Sequence, residues 1–164
     1  MHRLDQATSG LVLMARHIDA QRQLSHAFAE RQVHKRYQAV VQGLLYSADR
    51  CWNEIELPIA ADWERRPLRV VDAAKGKPSL TRWRLLAQDE AAFSSRVELE
   101  PVTGRTHQLR VHLAAIGHAI LGDALYADAA TQAQAPRLLL HASHLAFAHP
   151  GTGEPVALEW AADF

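Results

Sequence analysis

The chain has 164 residues, 48% of them hydrophobic and 22% charged, which suits one globular domain and excludes a disordered or fibrous protein. No apolar run approaches the roughly 20 residues that a membrane-spanning helix needs, and no signal peptide opens the chain. We therefore expect no membrane partner and a cytoplasmic location. The one cysteine, Cys51, cannot form an internal disulfide and agrees with a reducing compartment.

Positive charge is concentrated in the first half of the chain, although the formal net charge is zero. Residues 1–84 contain 14 Lys and Arg against 9 Asp and Glu, whereas residues 85–164 contain 4 against 9. Fifteen of the 18 cationic residues are arginine, the side chain that suits bidentate phosphate contacts and stacking on bases. A GC-rich coding sequence produces the same bias, so both explanations stay open.

The first half of the chain predicts one helix among strands. Five apolar residues at 11–15 predict a short buried strand, and residues 17–31 predict an amphipathic helix. Residues 33–43 predict a second strand. Residues 44–78 predict short strands interrupted by prolines, with a basic turn at residues 64–67.

The second half predicts strand pairs on either side of a helix. A turn at residues 101–104 leads into a helix from about Thr106 that stops at Gly117. The strands are expected at residues 80–86, 95–99, 138–147 and 156–160, the first two joined by a polar turn at residues 88–90. Many strands without a regular strand–helix alternation predict an α+β fold with a largely antiparallel sheet.

An acidic residue stands just before the first apolar run. Asp5 is followed by small residues and then by residues 11–15, and Arg3 stands two residues before it. From the residues alone, a surface ion pair explains this arrangement well, because an Arg-x-Asp sequence is common. A functional interpretation needs support from elsewhere in the chain.

The stretch VTGRTHQLRVH supplies a candidate anion site. It places Arg105, His107 and Arg110 at the start of the predicted helix, where exposed N–H groups and the helix dipole favour negative charge. A plain polar helix cap would need neither two arginines nor a glycine turn. Together with Asp5 and the basic aromatic segment around Tyr37, these groups suit an enzyme that handles a flipped base in RNA.

Two other classes of enzyme find less support in the sequence. Among the ten histidines, His107 and His112 are five residues apart, which turns their rings away from each other on a helix, and no HExxH motif is present. We therefore expect no metal site and no metal-dependent hydrolase. Ser9 and Ser79 lack the GxSxG elbow of a serine hydrolase.

Several segments closely resemble the RluA family of pseudouridine synthases. They are HRLDQATSGLVLMAR, KRYQAVVQG, GKPSLTRWRLL, PVTGRTHQLRVHLAAIGHAILGDALYA and PRLLLHASHLAFAHPGTGEP, in the family's order over nearly the whole chain. The resemblance implies one catalytic domain over residues 1–164, a mixed, largely antiparallel sheet with flanking helices, and a central RNA-binding cleft. It also implies isomerisation of uridine to pseudouridine in RNA without a cofactor.

The resemblance also implies roles for individual residues. Asp5 corresponds to the catalytic carboxylate, and Arg110 to the cation that keeps it ionised. Tyr37 corresponds to the ring that stacks on the target base, and its phenol is a candidate acceptor for the carbon-5 proton. Arg3 matches the arginine that fills the space left by the flipped base. Whether Asp5 attacks the base, attacks the ribose or removes a ribose proton stays open.

We expect the RNA-binding surface to combine residues from separate parts of the chain. They are Arg3, Lys35, Arg36, Arg65, Arg66, Arg105 and His107. The ending WAADF and the compact form resemble family members that act on large-subunit (23S-type) rRNA and on the tRNA anticodon stem-loop. We expect either or both as substrates, and a monomer.

One departure from the family pattern concerns the N-terminus. Family members carry strands and an NKPxG motif before HRLD, which here begins at residue 2. We therefore expect an N-terminally truncated form of the domain. An inactive RNA-binding remnant of the same family is the alternative to an active enzyme.

Overall fold

The computed structural model describes residues 4–47 and 51–164. Within these ranges the chain forms strands and helices in the following order: β1 (Ser9–Gly10), α1 (Ile18–Ala29), β2 (His34–Gln42), β3 (Asn53–Glu56), β4 (Ile59–Ala61), β5 (Arg69–Val71), β6 (Leu80–Asp89), β7 (Ser94–Pro101), α2 (Gln108–Ala115), α3 (Ala129–Ala133), β8 (Leu140–Ala148) and β9 (Pro155–Glu159). In this described part of the chain, every helix is too short to cross a membrane.

One mixed sheet organises the fold. Its strand order is β1-β8-β2-β7-β6-β3, and β9 also pairs with β8. The β1–β8 pairing is parallel and the other pairings in this sheet are antiparallel. The strands β4 and β5 form a separate two-stranded sheet. The predicted α+β fold with a largely antiparallel sheet is therefore confirmed.

The hydrophobic core lies between one face of this sheet and α2. Along β2, Tyr37, Ala39 and Val41 are buried, because alternate residues of a strand point to the same face. Leu109 and Leu113 of α2 belong to the same buried cluster. This packing fixes the start of α2 against the sheet, which matters for the site described below.

The predicted strand over residues 11–15 is wrong. In this part of the chain, only Ser9 and Gly10 pair with β8. The last backbone contact is the hydrogen bond that Leu11 N–H donates to Ala142 O at 2.9 Å. Farther along, β9 pairs with residues 144–148 of β8. The apolar run therefore has no strand to join, and within it Val12 and Met14 are 51% and 77% exposed.

Most other predicted elements are present with shifted ends. The hairpin of β6 and β7 is longer than expected, because Gln88 and Asp89 pair with Ser95 and Ser94 instead of forming the turn. The actual turn follows at residues 90–93. The short helix α3 was not predicted.

Gly10 allows β1 to approach β8 closely. Its φ is +104°, and a Cβ atom there would lie 2.3 Å from the backbone oxygen of Ala142. Gly10→Ala should therefore lower the free energy of unfolding by roughly 3 kcal/mol, from backbone strain together with this overlap. Chemical denaturation should measure the loss.

Gly104→Ala is the matched control, because a Cβ at Gly104 meets nothing within 4 Å. It should leave the free energy of unfolding nearly unchanged. Equal stability of the two variants would contradict the close approach of β1 to β8.

Candidate active site

An open cavity of about 670 Å³ lies where β2 begins and β7 ends, beside the start of α2. Its charged and histidine lining comprises Asp5, Arg31, His34, Lys35, Arg82, Glu100, Arg105 and His107. Glu100 forms an ion pair with Arg82 at 3.7 Å. Asp5 is the other carboxylate of the lining, and its side chain is 20% exposed.

Asp5 sits on a loop that is anchored to β8. The Asp5 carbonyl oxygen accepts a hydrogen bond from Thr8 N–H at 2.9 Å, which closes a turn just before β1. Ser9 Oγ lies 2.9 Å from His141 Nδ1, and Arg137 donates to Ser9 Oγ at 3.3 Å. These contacts, together with the β1–β8 pairing, hold the backbone that carries the Asp5 carboxylate.

Arg110 lies between Asp5 and a second, buried carboxylate. Its Nε and Nη2 donate to the two oxygens of Asp123 at 2.8 and 2.6 Å, and the two side chains are 5% and 0% exposed. The remaining terminal nitrogen, Nη1, lies 4.0 Å from Asp5 Oδ2. Burial disfavours the charged guanidinium, but the contacts with Asp123 outweigh burial and raise the pKa of Arg110.

The prediction that Arg110 reaches Asp5 thus holds at the outer limit of an ion pair, while the direct partner of Arg110 is Asp123. Asp5 is also 4.0 Å from His107 Nε2. Both distances exceed hydrogen-bonding range. The residues that the structure describes therefore leave the Asp5 carboxylate close to positive charge but open to a substrate.

Tyr126 orients His107, the residue that precedes α2 and that has a positive φ of 57°. Tyr126 Oη accepts from Arg69 N–H at 2.9 Å and lies 2.6 Å from His107 Nδ1. Because the hydroxyl hydrogen is free to donate, we assign the ring proton to Nε2, which faces Asp5. Burial lowers the pKa of His107, so the ring is neutral at pH 7.

Gln108 fixes the turn that leads into α2. Its Oε1 accepts from Thr103 Oγ1 at 2.7 Å and from Arg105 N–H at 3.0 Å. Its Nε2 donates to Leu80 O at 2.9 Å and to Thr81 Oγ1 at 3.0 Å. The turn and the first residue of the helix are thereby tied to β6.

Tyr37 forms a buried wall of the cavity, 9% exposed. Burial, together with the negative charge of Asp5, raises the pKa of Tyr37 to about 12. The side chain is therefore a neutral phenol at pH 7. This state suits stacking on a base more than it suits abstraction of a proton.

The other sequence-predicted RNA-binding residues lie in three different places. Lys35 and Arg105 line the cavity with His107. Arg36 occupies the alternate position of β2 and is 3.9 Å from Glu98, which does not line the cavity. Arg65 and Arg66 are exposed on the turn between β4 and β5. Arg3 lies outside the described residues.

The buried histidine His112 makes structural contacts. His112 is fully buried, with Nε2 at 3.0 Å from Leu57 O and Nδ1 at 2.9 Å from Thr81 Oγ1. Over residues 4–47 and 51–164, no group of three or more His, Cys, Asp or Glu could hold a metal ion.

Sequence reasoning assigned no role to Asp123 and Tyr126. Both belong to GDALYA, 13 and 16 residues after Arg110, in a segment without regular structure. A buried arginine needs an acidic partner, but the sequence does not reveal that Arg110 is buried. Arg31 and Arg82, which also line the cavity, were missed because isolated arginines give no local signal.

Comparison with known proteins finds relatives in one family. The family model for RNA pseudouridylate synthase matches residues 1–115. The chain is 44% identical to the dual-specificity RNA pseudouridine synthase RluA of Haemophilus influenzae, covering 99% of this chain and 73% of that protein. It is 48% identical to the protein of the same name from Pasteurella multocida, covering 93% of this chain and 68% of that one.

A solved structure supports the same relationship. The human RNA pseudouridylate synthase domain containing 1 superimposes with a TM-score of 0.84 at 33% identity, covering 98% of this chain and 67% of that one. The fold is thus that of an RNA-modifying isomerase. The chain belongs to the RNA pseudouridylate synthase family, as its motifs predict.

The Arg110–Asp123 pair can be tested by its effect on stability. Arg110→Met leaves the buried Asp123 carboxylate without its cation. Asp123→Leu leaves the buried Arg110 guanidinium without its hydrogen-bonded carboxylate. Each variant should therefore lose about 3–5 kcal/mol of unfolding free energy. The double variant should lose less than either single one, because no buried charge then remains unpaired. Chemical denaturation of the three variants measures this coupling.

Asp19→Ala is the control, since it breaks an ion pair with Arg22 in which both side chains are more than 70% exposed. It should change stability little. Additive losses in the double variant would show that Arg110 and Asp123 do not depend on each other.

The raised pKa of Tyr37 predicts a loss of stability in alkali. A proton held more tightly by the folded than by the unfolded state stabilises the fold below pH 10, and this contribution disappears as the pH rises to about 12. Because the shift is about two units, the loss amounts to about 3 kcal/mol. Tyr37→Phe should lack it, so the difference in unfolding free energy between wild type and variant should shrink over this range.

Tyr46→Phe serves as the control, because Tyr46 is 79% exposed. A Tyr37→Phe difference that follows the pH in the same way as the Tyr46→Phe difference would contradict the buried, acid-facing position of the Tyr37 phenol.

Proposed function

We propose that Asp5 is the carboxylate that drives the conversion of uridine to pseudouridine. In this reaction the N-glycosidic bond breaks, the uracil turns, and carbon 5 joins the ribose. The observation that carries the proposal is the position of Asp5 in the cavity, 4.0 Å from both Arg110 and His107 and in the same lining as Tyr37. The other lining carboxylate, Glu100, is already paired with Arg82.

Three neighbours have distinct roles in this proposal. Arg110 places a positive charge 4.0 Å from the Asp5 carboxylate and is itself held by Asp123. Tyr37 provides the surface on which the flipped uracil stacks, and its high pKa keeps it neutral there. For its phenol to accept the carbon-5 proton it would first have to release its own, so we assign Tyr37 chiefly to binding.

We propose that positive charge around the cavity binds the RNA substrate. Lys35 and Arg105 supply this charge. Together with the neutral His107 they line the cavity and are proposed to contact the phosphates and bases next to the target uridine. Arg65 and Arg66 are proposed to extend this surface along the turn between β4 and β5. Arg3 and Arg36 complete the proposed set, with Arg36 contacting RNA only beyond the cavity.

The names of the relatives narrow the substrates. These relatives are named dual-specificity RNA pseudouridine synthases. Because the motifs also resemble those of family members that act on rRNA and tRNA, we propose that the chain acts on large-subunit ribosomal RNA, on a tRNA anticodon stem-loop, or on both. We propose that it does so as a monomer in the cytoplasm.

Asp5→Asn tests the central assignment. Asparagine preserves the shape of the side chain but cannot act as a nucleophile or base, so pseudouridine formation should fall below detection. Affinity for a stem-loop RNA should stay within a few fold of wild type. Chemical mapping of pseudouridine and a filter-binding assay measure the two quantities.

The matched control is Asp19→Asn, an exposed acid on α1. It should retain full activity. Appreciable turnover by Asp5→Asn would remove Asp5 from the reaction, and a wild-type chain that binds RNA without turnover would favour the non-catalytic remnant.

A further inference from the structure

An exposed indole stacked on an arginine stands at the turn between β4 and β5. Trp63 is 72% exposed, and the guanidinium carbon of Arg66 lies 4.1 Å from the centroid of its ring. Leaving so much of an indole in contact with water is unfavourable. Neither the family resemblance nor the proposed chemistry gives Trp63 a role.

Hydrogen bonds hold this turn in one conformation. Asp62 Oδ1 accepts from the N–H groups of Glu64 and Arg65 at 3.2 and 3.0 Å, and Asp62 Oδ2 accepts from Arg65 Nε at 2.8 Å. The base of the turn is closed by Asp62 N–H donating to Leu68 O at 3.1 Å. The indole is therefore presented by a preorganised backbone, which lowers the entropy lost when a ligand binds.

The turn is joined to the active site through a short series of contacts. Arg69, at the start of β5, donates its N–H to Tyr126 Oη, which contacts His107, and His107 faces Asp5. Because Asp62 pairs with Leu68, the Cα atom of Trp63 lies no more than about 13 Å from that of Arg69. An RNA strand with its target uridine at Asp5 can therefore bring a nearby nucleotide to Trp63.

We propose that Trp63 and Arg66 form a stacking site for an unpaired nucleobase that flanks the target uridine. The inference rests on the proposed function, because it requires RNA as the substrate. Indole rings and guanidinium planes are the side-chain surfaces on which splayed-out bases stack. The charge of Arg66 also suits the adjoining phosphate.

The surroundings of Trp63 favour a nucleobase over a protein partner. The side chains that follow it, Glu64, Arg65 and Arg66, are exposed and charged. A tryptophan that anchors a protein interface is instead surrounded by contacts that exclude water. A stacked base needs only the face of the ring and tolerates a charged, hydrated rim.

The experiment uses the full chain and a stem-loop RNA with the loop length of a tRNA anticodon arm, carrying 2-aminopurine at one loop position at a time. On binding to wild type, one flanking position should lose fluorescence because its base stacks on the indole. Trp63→Leu should abolish this quenching and weaken binding roughly tenfold or more. Trp63→Phe should retain most of both effects, because it keeps an aromatic face.

Steady-state kinetics separate binding from chemistry. Trp63→Leu should raise KM by a similar factor and leave kcat at saturating RNA within about twofold, since Trp63 does not touch the reacting atoms. Tyr46→Ala is the matched aromatic control, because Tyr46 is 79% exposed and follows the end of β2 that lies away from the cavity. It should change neither KM nor quenching.

The possible failures are distinguishable. Unchanged affinity and quenching in a folded Trp63→Leu variant that still forms pseudouridine would overturn the stacking site alone. A wild-type chain that neither binds the stem-loop RNA nor modifies it would overturn the proposed substrate as well, and the stacking site with it.

Discussion

The geometry of the site depends on the buried contact between Arg110 and Asp123. Two nitrogens of the guanidinium are bound by Asp123, which leaves the third directed at Asp5. Such a pair gains little net stability over apolar residues, because both charges lose their hydration. Its value lies in orientation: a bidentate guanidinium cannot rotate without breaking two hydrogen bonds. Asp5 therefore lies beside the Arg110 guanidinium, which Asp123 holds in place without a hydrogen bond to Asp5.

The sheet brings the remaining groups to this cation from distant parts of the sequence. In β8, Ala142 is the partner of Gly10 on one side and of Tyr37 on the other. The loop that carries Asp5 and the strand that carries Tyr37 are thus adjacent to the same residue of one strand. The fold consequently sets the spacing between acid and ring through backbone pairing, which is less adaptable than side-chain packing.

Local patterns predicted most elements but not the partners of the site. The helices α1 and α2 and the hairpin of β6 and β7 follow from periodicity and turn residues, which act over short distances. The failed strand at residues 11–15 and the missing partner Asp123 have a common cause. Each depends on which distant segment occupies a neighbouring position: β9 beside β8 in the first case, the GDALYA segment beside α2 in the second. The two motifs that carry Asp5 and Arg110 were recognisable from the family pattern, whereas the geometry of these residues was not.

Because successive side chains of β2 point to opposite faces of the sheet, neighbouring basic residues in the sequence do not form one basic surface. Lys35 and Tyr37 reach the cavity, whereas Arg36 between them pairs with Glu98 on the opposite face. The positive charge of the cavity lining comes from separate segments of the chain, with Arg31 and Lys35 from one and Arg105 from another. This charge answers a physical difficulty of the proposed chemistry, since an ionised carboxylate repels the phosphates of the RNA that must approach it. Cations in the cavity lining offset that repulsion without binding the Asp5 carboxylate directly, so the acid stays accessible to the substrate.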